Sequence, residues 1–491
     1  MAALAIIDLS GMNVTTLATT VINTIFIYAS TRIFYLLYFH PLSRFPGPEL
    51  AAVSNLWYAY HWLSGRWPWT VEKALYRYGP VVRIAPNELA FFTPQAFRDI
   101  YAPQHRNLED FVKTDFQDRG KDLGGLIWEQ DPVHHRNVAR QIAPAFSSRY
   151  LRSLEPIVHE HMDYFVAKMK QLNMDPKTIG VLLVRWTSWL AMDMAADLAW
   201  NEKVHQMRDM KDSVNLDVLL SFNSFATVIA VFKRFPLIRP LQYLFAPFGK
   251  ITLFSQMEKA TSESVLRRIG QRGHTEHPDY FDFILPVDAP YPANKKDLLH
   301  IGSVALQVMF AGWGPMGDLF YGALVILLEN PESHQLLSKE VRESFSNYKD
   351  IAPGPTLTRC ACSQATLLAR HQSAQDLWWT GNTSLRAPTC KPACGPLARH
   401  PAYFHQPRRF QPQRWLPASH SLYDPAFAND HLKSLHPFSL SPRAKLFLAK
   451  VLWTFDVVQI EGQGFDLERG LLHYGFCEKP EMYVRFPPVP R

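Results

Sequence analysis

A chain of 491 residues with 47% hydrophobic and 19% charged positions carries enough apolar material for a large core, which excludes disordered, low-complexity and small disulfide-stapled proteins. Its 51 Lys and Arg against 44 Asp and Glu leave a net +7 with no basic run punctuated by aromatics, which argues against nucleic acid and for an anionic membrane or an acidic electron-transfer partner. Five cysteines cannot form a disulfide framework at this size, so the folded part suits a reducing compartment.

No charged side chain occurs from residue 9 to residue 31, and about 23 such positions let a helix cross a hydrocarbon layer of roughly 30 Å. The run continues past Arg32 into Ile33-Phe34-Tyr35-Leu36-Leu37-Tyr38-Phe39, so residues 9–39 are read as one membrane anchor. A cleaved leader would begin with a basic region, whereas Asp8 is the only charge before Arg32. Positive residues follow the span, which predicts a single-pass protein of the endoplasmic reticulum with residues 40–491 in the cytosol. The alternative is a helix buried in the fold, because the Thr content lowers the hydropathy.

Next comes His40-Pro41-Leu42-Ser43-Arg44-Phe45-Pro46-Gly47-Pro48, whose prolines predict an extended, stiff hinge between membrane and domain. Residues 71–78 have helical spacing, Gly79-Pro80 ends them, and residues 81–84 with 89–92 read as a hairpin of short strands. From about residue 132 to 352 the periodicity is helical, with long apolar-faced segments at 157–172 and 298–328. Residues 356–398 break this texture: Cys360, Cys362, Cys390, Cys394 and Trp378-Trp379 sit among Ser, Thr, Pro and Gly without an amphipathic period. Globular patterning returns at Pro401, and residues 450–458 and a short strand at 483–486 close the chain.

Several of these segments carry a resemblance. The connector Arg44-Phe45-Pro46-Gly47-Pro48 and the stretch Tyr78-Gly79-Pro80-Val81-Val82-Arg83-Ile84-Ala85-Pro86-Asn87-Glu88-Leu89 are similar in order and spacing to the proline-rich hinge and first hairpin of the cytochrome P-450 monooxygenases, in particular the membrane-anchored fungal type. Asp131-Pro132-Val133-His134-His135-Arg136 resembles the start of the family's helix over one haem face. His135 stands where a Trp or His meets a propionate, and Ala139 replaces the Arg or His usual one turn later. Ala311-Gly312 resembles the small pair that leaves room for dioxygen above the iron; taken alone, the same pair would suit close helix packing. The acid and Thr that follow it in the family are here Gly314 and Pro315, which relay no proton, and Pro315 is expected to kink the helix.

Phe410-Gln411-Pro412-Gln413-Arg414-Trp415 is similar to the motif whose arginine locks against a Glu-x-x-Arg pair. No Glu occurs between Glu343 and Glu461, so Arg414 is expected to lack its buried partners. Pro437-Phe438-Ser439-Leu440-Ser441-Pro442-Arg443-Ala444 resembles the start of the haem-binding loop, with Arg443 among the haem surroundings. Ser441 and Phe447 then stand at glycine positions and Lys445 at the cysteine that ligates iron. About a dozen residues, roughly three helical turns, are missing rather than substituted. Cys477 lies in terminal strand sequence and reads as a packed small hydrophobe rather than a substitute ligand.

The resemblance implies a mainly α cytochrome P-450 fold with a small N-terminal β-region behind one transmembrane helix. It implies haem as cofactor, a hydrophobic small-molecule substrate of secondary metabolism and a membrane-bound NADPH-dependent reductase docking on a basic face. The missing thiolate makes an inactive homologue the first expectation and an active monooxygenase the alternative. An alternative of another class is a non-catalytic membrane-anchored protein with zinc at Cys360, Cys362, Cys390 and Cys394, although one and three intervening residues depart from the usual two-residue knuckle. The bland reading of 356–398 is a shifted frame or retained intron, evolved for no structure.

Overall fold

A computed structural model describes residues 13–101, 112–113, 125–127, 129–360, 383–384, 389–392, 399–432, 442–463 and 465–490. Helix α1, Val14–Phe34, buries none of its side chains and runs into a single π-helical turn, Tyr35–Phe39. By length and composition it is one of three helices among the described residues that could cross a membrane, with α7 (Val214–Phe232) and α9 (Lys295–Glu329). Burial separates them: the most apolar stretch of α1 with its π-helical turn, Val14–Phe39, is 6% buried, against 39% in α7 and 78% in α9. Only α1 therefore leaves its apolar surface almost wholly uncovered by protein.

The connector behind α1 is not the extended hinge expected from its prolines. Ser43 N–H donates to the His40 carbonyl at 2.8 Å and Phe45 N–H to the Leu42 carbonyl at 3.1 Å, so the chain turns twice and buries Leu42. It docks on strand β1, Val81–Ala85, through Arg83, whose backbone N–H reaches the Pro46 carbonyl at 2.8 Å. The Arg83 guanidinium donates to the Leu36 carbonyl at 2.8 Å and to the Pro86 carbonyl at 2.8 Å. A Cβ on Gly47 would meet the Arg83 carbonyl oxygen at 2.3 Å, so only glycine permits this approach. Burial lowers the Arg83 pKa from its ordinary value, and the carbonyl acceptors stabilise the charge that remains.

Strand β1 pairs antiparallel with β2, Glu88–Phe91, as the hairpin pattern predicts. The other strands are short: β3 Val112–Lys113, β4 Val181–Leu182, β5 Thr383–Ser384, β6 Thr389–Pro392, β7 Val458–Gln459, β8 Leu472–His473, β9 Cys477–Glu478 and β10 Tyr483–Arg485. They form sheets of order β1-β2-β6-β5-β3, β4-β10-β7 and β8-β9. Parallel pairing of β2 with β6, from Glu88 opposite Thr389 to Phe91 opposite Pro392, places part of the cysteine-rich stretch in the sheet. Leu357 and Cys360 are buried in the main core as well, so the described residues of the stretch, 356–360, 383–384 and 389–392, take part in the fold. Edge pairing to β2 supplies the order that local periodicity does not.

Helices α2 (Leu56–Leu63) and α3 (Trp67–Tyr78) cover the sheet with a cluster in which Trp62 stacks on Trp67 at 5.6 Å and Tyr58 meets Trp67 at 4.8 Å. The larger body holds α4 (Pro132–Ile142), α5 (Glu155–Met174), α6 (Leu183–Trp200), α7, α8 (Ile251–Gly270), α9, α10 (Pro331–Ser344) and α11 (Pro442–Thr454). The segments expected at 157–172 and 298–328 fall inside α5 and α9. At the centre α9 packs on α6 through small residues: Cβ atoms added to Gly312 and Gly317 would lie 3.4 Å from those of Ala195 and Ala191. Helix α9 runs continuously from Lys295 to Glu329 through Pro315. Pro315 and Ala311 are both exposed, so the hydrogen bond that proline removes falls on the open side, where no packed turn has to follow.

Candidate active site

The upper wall of the site is α9. Phe310, Trp313 and Gly314 are buried, but Val308 is half-buried, Ala311 exposed, Gly312 half-buried and Pro315 exposed. Positions three and four apart share one helix face. An otherwise buried helix thus carries one open stripe of small residues at the place where the small pair is expected. Gly312 faces both ways, toward this stripe and toward Ala195 of α6, so the packing reading of the pair holds together with the open one.

On the packed side of α9, around the helix from the stripe, stands Phe476, in the turn between β8 and β9. Its ring meets Trp313 at 5.4 Å and 66°, and a Cβ on Gly314 would touch it at 3.7 Å. Asn223 of α7 holds that turn twice, accepting from Phe476 N–H at 2.6 Å and donating to the Phe476 carbonyl at 3.0 Å. The far end is fixed on α9 by the Lys479–Asp318 ion pair and by Tyr321, whose hydroxyl donates to the Pro480 carbonyl at 2.6 Å. Trp313 is itself oriented by donation from its indole N–H to the Ser188 hydroxyl at 3.0 Å. Residues from α6, α7, α9 and the C-terminal hairpin therefore build one apolar wall. Asn223 escaped the sequence reading because a lone Asn in a helix carries no motif.

His135 lies half-buried on α4, as does Ala139 one turn on. The neighbouring His134 stacks on His300 of α9 at 5.9 Å and 5°, with Nδ1 3.4 Å from Glu129. Burial, then the His134 charge, lowers the His300 pKa against an opposing pull from Glu129 and Asp297.

On the opposite side is α11. Its Arg443 Nη2 donates to the Tyr280 hydroxyl at 3.1 Å. Lys445 is half-buried, and burial pulls its pKa below the ordinary lysine value against a smaller opposing pull from Cys360. Cys360 is 2% exposed, with Sγ 3.5 Å from the Thr356 carbonyl and 3.7 Å from the Ser344 hydroxyl. Burial raises its pKa over the opposing effect of Ser344, so it rests as a thiol. Phe447 stacks on Phe320 of α9 at 4.2 Å and lies 5.6 Å from Phe165 of α5, which makes it part of the core where a glycine is expected. Ser441 and residues 437–440 lie outside the described residues.

Arg414 corrects the expectation of an unpartnered guanidinium. It is buried, pairs with Asp430, and donates to the His405 carbonyl at 2.6 Å, with the Phe427 ring 4.6 Å away. Its Nε alone has no acceptor among the described residues. Asp430 thus stands in for the missing Glu, a substitution no spacing rule could reveal.

Cys477 is half-buried beside Trp69 and Leu471, with its Sγ 3.4 Å from His473 Nδ1, matching a packed thiol. Burial pushes the His473 pKa down to about 4, leaving a neutral ring at neutral pH. For the zinc alternative, Cys362 and Cys394 lie outside the described residues and Cys390 is placed only by its backbone in β6. Among the described residues no three His, Cys, Asp or Glu side chains converge on a metal position.

A family model described as Cytochrome P-450 matches residues 48–359, ending one residue before Cys360. The chain is 40% identical over 494 residues to Cytochrome P-450 monooxygenase TwmD of Talaromyces wortmannii, covering 96% of each protein. It is 29% identical over 486 residues to Cytochrome P-450 monooxygenase poxC of Penicillium oxalicum, covering 94% of this chain and 92% of that protein. A Trichothecene C-4 hydroxylase of Trichoderma arundinaceum is 26% identical over 456 residues, covering 87% of this chain and 88% of its own length. The chain belongs to the cytochrome P-450 family, and its relatives are fungal monooxygenases of the secondary-metabolite type.

That family uses haem. The open stripe at Ala311, Gly312 and Pro315 has the small, uncharged surface that a macrocycle face requires. The donor set on α11 does not fit: all five cysteines lie outside this helix, and Lys445 stands where the resemblance leads one to expect the ligating cysteine. Phe447 packs into core where the loop backbone needs glycine, and Arg443 is engaged by Tyr280.

Proposed function

We propose that this chain is a cytochrome P-450 homologue that keeps an apolar small-molecule chamber but lacks the thiolate centre, and that as written it does not insert oxygen. Lys445 at the position of the iron ligand carries this reading, because an amine that is protonated at neutral pH cannot replace a thiolate. The chamber is supported by the open stripe of α9, whose small uncharged residues suit a hydrophobic metabolite. Residues 9–39 act as a single-pass anchor in the endoplasmic reticulum, with residues 40–491 as the cytosolic domain, in keeping with the uncovered surface of α1. His135, Ala311, Gly312 and Arg443 are the remnants of the haem surroundings.

The deciding experiment is haem content together with the carbon monoxide difference spectrum of the purified full chain. The expected result is substoichiometric haem and no thiolate-type band. A second reading, an active hydroxylase drawing electrons from a membrane-bound NADPH-dependent reductase, is favoured by the near-full-length similarity to named monooxygenases. Reductase-driven oxygenation by the chain as written would establish that reading instead.

A further inference from the structure

Away from α9, the turn at residues 405–409 and helix α3 enclose a cleft of about 500 Å³. Its polar lining is arginine: Arg399, Arg408 and Arg409, with Gln406 and the ring of Tyr76. Pro401 and Pro407 complete a flat, apolar flank. Six of these seven residues lie within residues 399–409, and the structure shows how that segment is fixed.

Gln406 takes a left-handed φ of 44°, a conformation that costs a non-glycine residue backbone energy and persists only where its surroundings impose it. The imposing group is the buried Arg414–Asp430 pair. Arg414 holds the His405 carbonyl at 2.6 Å and the Gln406 carbonyl at 3.4 Å, while Asp430 accepts the His405 N–H at 2.6 Å. Arg409 N–H closes the turn on the Gln406 carbonyl at 3.1 Å. On the other wall the Tyr76 hydroxyl donates to the Arg399 carbonyl at 2.6 Å, fixing that main chain to α3.

The charges do not balance. Glu72 is buried between two guanidinium groups, 3.1 Å from Arg408 and 3.7 Å from Arg399. Half-exposed Glu468 lies 3.6 Å from Arg408. Arg409 is exposed and meets no carboxylate within salt-bridge distance among the described residues. Arg409 thus brings to the cavity a guanidinium charge that no carboxylate among the described residues offsets. Planar guanidinium forks match the tetrahedral oxygens of phosphate, whose charge near neutral pH of about −1.5 to −2 exceeds that of a carboxylate. The volume is within the ~300–1,000 Å³ range of organic ligands and larger than phosphate alone requires.

We propose that this cleft binds a phosphate monoester of a small, flat organic group, with the phosphate on Arg408 and Arg409 and the organic part against Tyr76, Pro401 and Pro407. The site is independent of whether haem binds. Calorimetric titration of the detergent-solubilised full chain with phenyl phosphate, inorganic phosphate and benzoate separates the contributions. Phenyl phosphate should saturate one site and bind more tightly than either of the others. Arg409→Gln should weaken phenyl phosphate about tenfold, the weight of one charge-assisted hydrogen bond, with Arg409→Lys in between. Arg239→Gln, an exposed arginine on another segment, should leave binding unchanged. Absence of saturable phenyl phosphate binding, benzoate or inorganic phosphate binding as tightly, or an Arg239→Gln loss equal to that of Arg409→Gln would each overturn the proposal.

Discussion

Replacing Asp430 with Ala removes the one carboxylate that pairs with the buried Arg414 among the described residues. Arg414 would retain its carbonyl acceptors at His405 and Gln406, but its charge would stand uncompensated, and the His405 N–H would lose its acceptor at 2.6 Å. Breaking a buried pair by removing one partner typically destabilises by about 3–5 kcal/mol. One lost backbone acceptor adds roughly 1 kcal/mol. Against a typical total of about 5–15 kcal/mol the change is large and should be plain in a urea midpoint. Replacing both partners, Arg414→Met with Asp430→Ala, removes the orphaned charge and should recover most of the loss, since apolar replacement of a whole buried pair is often close to neutral. A loss below about 1 kcal/mol for Asp430→Ala, or a double variant less stable than the single one, would refute the view that this pair substitutes for the family's Glu-x-x-Arg lock.

Asp197 accepts from His161 at 2.8 Å and His277 at 2.9 Å; burial pushes its carboxyl up, but the two hydrogen bonds win and hold it far below the usual range. Burial lowers the His277 pKa, and the bonds to Asp197 and the Pro278 carbonyl outweigh this to raise it. A depressed acid contributes stability above its unfolded pKa of about 4, lost as pH falls toward the folded value, and a raised histidine contributes stability below about pH 6.5, lost as pH rises through its folded value. Asp197→Asn should therefore flatten both limbs of a Tm against pH curve, and an unchanged alkaline limb would remove His277 from the account. Asn223→Ala deletes both bonds to the Phe476 backbone and should cost about 1–3 kcal/mol while altering Trp313 fluorescence, as seen by denaturation and emission spectra. A chain starting at Pro41 should lose carbonate-resistant membrane association and some thermal stability, because Arg83 loses the Leu36 carbonyl; a chain starting at Tyr35 should lose only the membrane association.

The features legible in the sequence are those with a short period or a local stop signal. The β1–β2 hairpin follows from alternation around Pro86-Asn87, and α5 and α9 follow from apolar spacing carried over many turns. The open face at Ala311 was legible through resemblance, since composition alone fits close packing equally well. The connector was misread because its fold depends on Arg83, whose contact with Leu36 spans 47 positions. Arg414–Asp430 was missed for the same reason: Arg414 sits in the single 3-10 turn Pro412–Trp415 and Asp430 in irregular backbone, so no helical or strand period relates one to the other. Strand β6 is ordered by pairing with β2, and β5 by pairing with β6, rather than by their own pattern, so a reading that relies on local consistency passes over them.

Lys445→Cys is the variant that the family comparison invites, and it should not restore a haem centre. A thiol at that position would sit half-buried within α11, between Ala444 and Leu446, which are both in the core. Its backbone is already helical from Pro442 on, whereas the ligand loop of the family needs glycines on both sides to bring the backbone near the metal. The second glycine position is Phe447, stacked at 4.2 Å on Phe320, so opening that space removes a core contact between α9 and α11. Truncating such a ring typically costs about 3–5 kcal/mol. Even with a ligand in place, Gly314 and Pro315 on α9 offer no side chain to carry a proton, and the nearest acid along the helix, Asp318, is held by Lys479. The single variant should therefore keep the stability of the parent chain, gain no thiolate-type carbon monoxide band and show no reductase-dependent oxygenation. A stoichiometric thiolate spectrum from Lys445→Cys alone would mean that α11 can unwind ahead of Leu446 at little cost, and that the proposed inactivity rests on one residue rather than on the remodelled loop.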